Sequence, residues 1–230
     1  MISYDGVLAF VLALAIAVGL LFCILSLALT PTPASAATIT GRVIGTNGQG
    51  IAQAVVFVQS LPAGVQRSTP TQQAVMNQVH KTFVPAVLPV MVGAEVHFPN
   101  HDQIHHHVYS FSRTKSFELP LYKGEEAPPV LFDKAGVVKI GCNIHDWMAA
   151  VILVVPTSFY AVTNEAGEFT VSGLPSGTFP LAAWHELSQT KVEETTQQIR
   201  VVQDTASVTF SLSLAPPRAR LPVQGVRGSR

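Results

Sequence analysis

From residue 38 onward, apolar and polar residues alternate in short runs broken by turn residues, and no stretch keeps a helical period. Residues 38–44 alternate, Asn47-Gly48 marks a turn, and residues 54–58 form a second β run. Together these predict a hairpin. Residues 160–163, a turn at 164–167, residues 168–171, a Pro-Ser-Gly break at 175–177 and residues 179–184 predict a further set of short strands. Runs at 199–202 and 207–214 complete it. The expectation is an all-β chain behind a distinct leader.

That leader is apolar from residue 7 to residue 29 without a charged side chain, and ends in Thr30-Pro31-Thr32-Pro33-Ala34-Ser35-Ala36. Such a pattern predicts export. A run this long can span a bilayer, whereas a cleaved signal usually has an apolar core of about 7–15 residues. Ala34-Ser35-Ala36 is a small-x-small site that favours cleavage after Ala36. Against this, the leader lacks Lys and Arg and carries Asp5, which weakens the orientation signal. Residues 1–36 are therefore a signal peptide or a membrane anchor, and the mature protein is expected in the periplasm, free or held at the inner membrane through residues 7–29. Bulky Phe22 before Cys23 does not suit a lipoprotein signal.

The formal net charge is +0 and only 12% of residues are charged, which argues against nucleic acid as a partner. Two cysteines are present, and removal of the leader leaves Cys142 alone, so no internal disulfide is expected. An unpaired exported cysteine is buried and inert, exposed and hazardous, or bound to a metal.

Its neighbours point to metal. In Gly141-Cys142-Asn143-Ile144-His145-Asp146-Trp147-Met148 a thiol, an imidazole and a thioether recur at three-residue steps. Two His and one Cys with a long axial Met is the arrangement of mononuclear copper centres that transfer electrons. His106, in the run His105-His106-His107, is the candidate for the second imidazole. On a strand, His105 and His107 would face away from it. His80 and His101 read as surface residues, His97 as solvent-facing or at an interface, and His185 as packing at a sheet edge. Core packing remains open for Cys142 and Met148, and Trp147 could cover the site or face a redox partner. No nucleophile triad, phosphate loop or paired-carboxylate motif is recognisable, so an enzyme is not expected.

The order Phe98-x-Asn100, His106-His107-Val108, then Cys142-x-x-His145 before an apolar run at 151–155 resembles the plastocyanin group of cupredoxins. By that resemblance His106, Cys142 and His145 are copper ligands. Met148 follows His145 by three residues rather than the five usual there, which distinguishes its axial role from the other three. A closer resemblance, covering nearly the whole mature chain, is to periplasmic cupredoxin-like proteins labelled methylamine utilization proteins. It rests on Gln78, Phe83-Val84-Pro85, Phe98-Pro99-Asn100-x-Asp102, the strings at 106–112, 117–122 and 141–148, and Trp184-His185. The patterns at 41–58 and 163–181 further resemble the two halves of a transthyretin-type, carboxypeptidase regulatory-like β-sandwich.

These resemblances imply a cupredoxin-like Greek-key β-sandwich at 71–156, inserted between parts at 38–70 and 157–215 of a regulatory-like β-sandwich. Residues 216–230 are expected to form a disordered basic tail. One larger continuous sandwich is the other reading. The implied function is one-electron transfer by a single copper, Cu(I)/Cu(II), with a periplasmic redox partner protein. Copper carriage or sequestration, or a non-redox binding module, are the alternatives, and zinc could enter the same site.

Overall fold

The structure is a computed structural model that describes residues 37–65, 73–124, 127–202 and 205–216. The leader at 1–36 and residues 217–230 of the predicted tail lie outside the described residues. Those described are almost entirely β, with one short helix among them, α1 (Val192–Thr195). None of their helices is long and apolar enough to cross a membrane.

Among the described residues, seventeen strands form four sheets and a small hairpin. In the first sheet β1 (Ala37–Gly45) lies between β14 (Glu168–Leu174), antiparallel, and β17 (Thr205–Leu212), parallel. The second runs β13 (Tyr160–Val162), β2 (Val55–Val58), β15 (Gly177–Trp184), β16 (Gln197–Val201). The third runs β6 (Val87–Met91), β12 (His145–Val155), β11 (Gly136–Cys142), β8 (His106–Phe111), β9 (Ser116–Tyr122). The fourth holds β10 (Val130–Phe132), β7 (Ala94–His97) and β3 (Ala74–Val75), with the β4 (Asn77–Val79)–β5 (Thr82–Val84) hairpin separate.

Side-chain alternation sorts the apolar residues into three cores. Val56, Val58, Leu181 and Ala183 pack with Ile39, Phe169 and Phe210, joining the first two sheets. Ala150, Ile152 and Val154 pack with Val138, Ile140, Phe98 and Phe132, joining the last two. The intervening residues Val55, Phe57, Ala182, Leu153 and Val155 meet Val87 in a third cluster, which seats the second sheet against the third. Strands buried on both faces read as unbroken apolar runs, which is why β2 is Val-Val-Phe-Val and β12 ends Val151-Ile152-Leu153-Val154-Val155. All of β3 to β12 lies between β2 and β13, which pair antiparallel, Tyr160 opposite Phe57.

The hairpin predicted from residues 38–58 is not formed. The turn exists, with Gly45 N–H bonded to Gln49 O at 2.8 Å, but β1 and β2 belong to different sheets. A hairpin partner of β1 would present one face of β2 to water, whereas crossing buries both. The crossing is fixed by the turn before β14: Gly167 O accepts from Val43 N–H and Val43 O accepts from Ile51 N–H, each at 2.8 Å. Gly167 has φ +75, and a Cβ there would lie 2.3 Å from Val43 O, so this seat requires glycine.

A buried polar knot braces the core of the third and fourth sheets. Tyr122, 5% exposed, donates its hydroxyl proton to Phe98 O at 2.6 Å. Gln78, fully buried, donates from Nε2 to the same carbonyl at 2.8 Å and to the Tyr122 oxygen. Burial pushes the Tyr122 phenol up to about 12, against the lowering effect of the Gln78 hydrogen bond and with a smaller rise from Cys142.

This packing can be tested at two points. Phe57→Ala empties the shared middle cluster and is expected to cost about 3–5 kcal/mol, read from the urea unfolding midpoint. An unfolded Tyr122 would ionise near pH 10 while the folded one keeps its proton to about 12. Its contribution is therefore complete below about pH 10 and is lost as pH rises through about 12. Tyr122→Phe should flatten that alkaline decline in unfolding titrations, and an unchanged slope would show that Tyr122 does not cause it.

Candidate metal centre

Three strand ends meet at one end of the third sheet, on its central strands β12, β11 and β8. On β8 the burial pattern places His106, Val108 and Ser110 inward and leaves Phe111 exposed. β11 ends at Cys142, paired with Val108 on one side and His145 on the other. Asn143 and Ile144 close the tight turn between β11 and β12, and Asn143 N–H bonds to His107 O at 2.9 Å. The β11–β12 ladder then slips: Gly141 faces Ala149, but Cys142 faces His145, so 146–148 bulge from the pairing. Met148 turns inward from this bulge into the cluster that holds Cys142, while Trp147 points out, 54% exposed.

Cys142 Sγ lies 3.7 Å from His106 Nδ1 and 3.5 Å from His145 Nδ1. The three donor atoms fall within 4.8 Å of one another, and no other set of three or more His, Cys, Asp or Glu among the described residues does so. An ion bound in a trigonal plane at roughly 2.0 Å from nitrogen and 2.3 Å from sulfur separates those donors by about 3.7 Å. The two sulfur–nitrogen distances therefore match what a bound metal ion needs. The neighbouring rings keep the site narrow: His106 and His145 meet edge to face at 5.0 Å, and Trp147 lies 5.4 Å from His145. Burial above all holds the His145 imidazole below its usual range, with His106 and Lys81 adding to it against the pull of Asp102, which favours the neutral, ligand-ready form.

Behind His106 stands a shell of hydrogen bonds. Its ring is fully buried and Nε2 lies 2.8 Å from Asp102 Oδ2. Asp102 also accepts from the backbone N–H of His80 at 2.6 Å and of Lys81 at 2.8 Å, both in the β4–β5 turn. Burial alone would raise the Asp102 carboxyl, but the bonds from Lys81, His106 and His80 outweigh it and hold it below the ordinary range. Asn100 shapes the loop between, accepting from Asp102 N–H and donating to Ile104 O and Tyr122 O.

Of the sequence candidates, His106, Cys142 and His145 converge, and Met148 is buried beside Cys142. The other histidines do not join them. His107 is held by Glu118 at 2.7 Å and His105 is exposed. His101 Nε2 contacts Asn77 Oδ1 at 3.0 Å, and His185 Nδ1 accepts from Leu187 N–H at 3.1 Å. His97, expected to face solvent or an interface, is half-buried with its Nε2 enclosed, and it does not join the donor cluster. Asp102 is not among the sequence candidates. It stands out in the sequence only as part of the Phe98-Pro99-Asn100-x-Asp102 string, and its four-residue offset from His106, across a loop that bends into a strand, is the local signal for its role. Gly141, beside Cys142, admits the Tyr109 ring, which a Cβ would meet at 3.2 Å.

No protein-family model matches the chain, and no curated protein matches it in sequence. Among solved structures, a purple cupredoxin from Nitrosopumilus maritimus aligns at 22% identity over 36% of this chain and 99% of its own, with TM-score 0.32. A copper-containing nitrite reductase (NirK) from Thermus scotoductus SA-01 aligns at 25% identity over 42% of this chain and 25% of its own, TM-score 0.35. An amicyanin mutant in its reduced state aligns at 23% identity over 44% of this chain and 98% of its own, TM-score 0.33. These structural neighbours are cupredoxins and a copper enzyme, but at such TM-scores it is the donor geometry, not the likeness, that bears on function.

Proposed function

We propose that this chain is an exported copper protein that carries single electrons. One ion would be held by His106, Cys142 and His145, with Met148 as a weak axial ligand. The supporting observation is the donor triangle, with sulfur 3.5 and 3.7 Å from the two imidazole nitrogens at the end of paired strands. A thiolate, two imidazoles and an adjacent thioether favour copper over harder divalent ions.

Copper bound there would take one electron from a donor protein and give it to an acceptor, alternating between Cu(II) and Cu(I). The residues supply the rest. Ladder pairing on both sides of Cys142 resists movement of the sulfur, so the donors keep their places in either oxidation state. Trp147 and Ile144, 54% and 49% exposed, flank His145 and offer a contact surface to a redox partner protein. We read the protein as a periplasmic carrier, not an enzyme. In architecture we read a cupredoxin-like Greek-key sandwich at 71–156 set into a transthyretin-type, carboxypeptidase regulatory-like sandwich, a reading favoured by the direct pairing of β2 with β13 across it.

Copper carriage is the weaker reading, because it would draw on His101, His105 to His107 and Met148 as a surface site, whereas His106 and Met148 are buried and His101 and His107 have separate partners. Anaerobic purification, copper addition, metal analysis and an optical spectrum test the choice. One copper per chain with an intense thiolate-to-copper band is expected, while several weakly held, colourless coppers would favour carriage. Cys142→Ala and His145→Ala should each abolish tight binding, whereas Met148→Leu should keep the metal and shift the reduction potential. Identical behaviour of all three variants would overturn the ligand assignment.

A further inference from the structure

A neutral imidazole offers a lone pair from one nitrogen only, and the partner of the other nitrogen decides which. The His106 ring has no exposed surface, so water cannot settle the choice. Its Nε2 faces Asp102 Oδ2 at 2.8 Å, and an ionised carboxylate only accepts. The proton therefore belongs on Nε2, and the lone pair on Nδ1, the atom 3.7 Å from Cys142 Sγ.

We propose, on the copper reading above, that Asp102 is the positioning residue of this centre: it fixes the tautomer and aim of His106 before any metal arrives, and it sets affinity and potential through that ring. Asp102 is itself restrained from three directions. Backbone N–H groups of His80 and Lys81 reach its two oxygens, and its own N–H is bound by Asn100 Oδ1 at 2.9 Å. His80 and Lys81 adopt φ 52 and 58, a left-handed pair unusual for such residues, which turns both N–H groups onto the carboxylate. The β4–β5 turn thus anchors, through Asp102, a ligand that lies far beyond it in the chain. A carboxylate on a ligating imidazole raises the basicity of the ligand and stabilises the more highly charged state of the ion.

The first measurement needs no metal. In the metal-free protein, nitrogen-15 NMR of His106 should show a single Nε2–H tautomer with a slowly exchanging ring proton. Asp102→Ala should give a mixture of tautomers and fast exchange, and copper affinity should fall about 10–100-fold while the thiolate band persists. Asp102→Asn keeps the volume, removes the charge and should raise the reduction potential; it carries the test if the alanine variant does not fold. Persistence of the single tautomer in Asp102→Ala, with copper affinity indistinguishable from that of the parent, would overturn the proposal, as would unchanged ring-proton exchange and potential in Asp102→Asn. If the parent protein takes up no copper, the copper reading fails, yet the tautomer measurement still decides the role of Asp102.

Discussion

Cys142 is a ladder residue with partners on both sides, Val108 on β8 and His145 on β12, and this double pairing is what the candidate site depends on. Two of the three donors are three residues apart, but His106 precedes Cys142 by thirty-six, so only sheet formation can bring it near. Once β8 lies beside β11, alternation aims His106 inward and sends His107 to Glu118 on the other face. The geometry of the donor triangle is thus largely a property of the backbone, with side-chain rotation supplying the last adjustment.

Behind the site, apolar residues hold the third sheet still. β12 is buried on both faces over its later half, with Ala150 and Ile152 against Val138 and Ile140 in one cluster, and Leu153 and Val155 against residues of β2 and β15 in another. Interiors packed at near-crystalline density resist displacement, and a sheet clamped on both faces transmits that resistance to its ends. The strand that presents His145 is therefore supported over its later half by a second pair of sheets that contributes no donor to the site.

Polar contacts make the finer adjustments. Asn100, Asp102, Gln78 and Tyr122 tie the loop at 98–106 to the β4–β5 turn and to β9 through hydrogen bonds. Each such group would be costly to bury alone, and together they fix the loop in one arrangement. The inward swing of Met148 has a backbone cause as well, since the bulge at 146–148 lets one short segment send a thioether into the core and an indole outward.

Local and chemical features were legible in the chain alone: its β-rich character, the strands within 38–58 and 160–214, and the soft donor set Cys142, His145 and His106. Alternation, turn residues and ligand types are written in neighbouring positions, so they need no partner to be read. Partnership itself emerged only on folding. The run at 38–58 reads as a hairpin, yet its strands enter different sheets, since burying β2 on both faces outweighs pairing with its neighbour. Asp102 enters the sequence reading only within a shared string, with no role, yet it receives two N–H groups from twenty-one and twenty-two residues away and contacts the ring of His106. Periodicity records which face of a strand is apolar, but not which sheet, turn or imidazole will lie against it, because those choices are made by contacts between residues far apart in the chain.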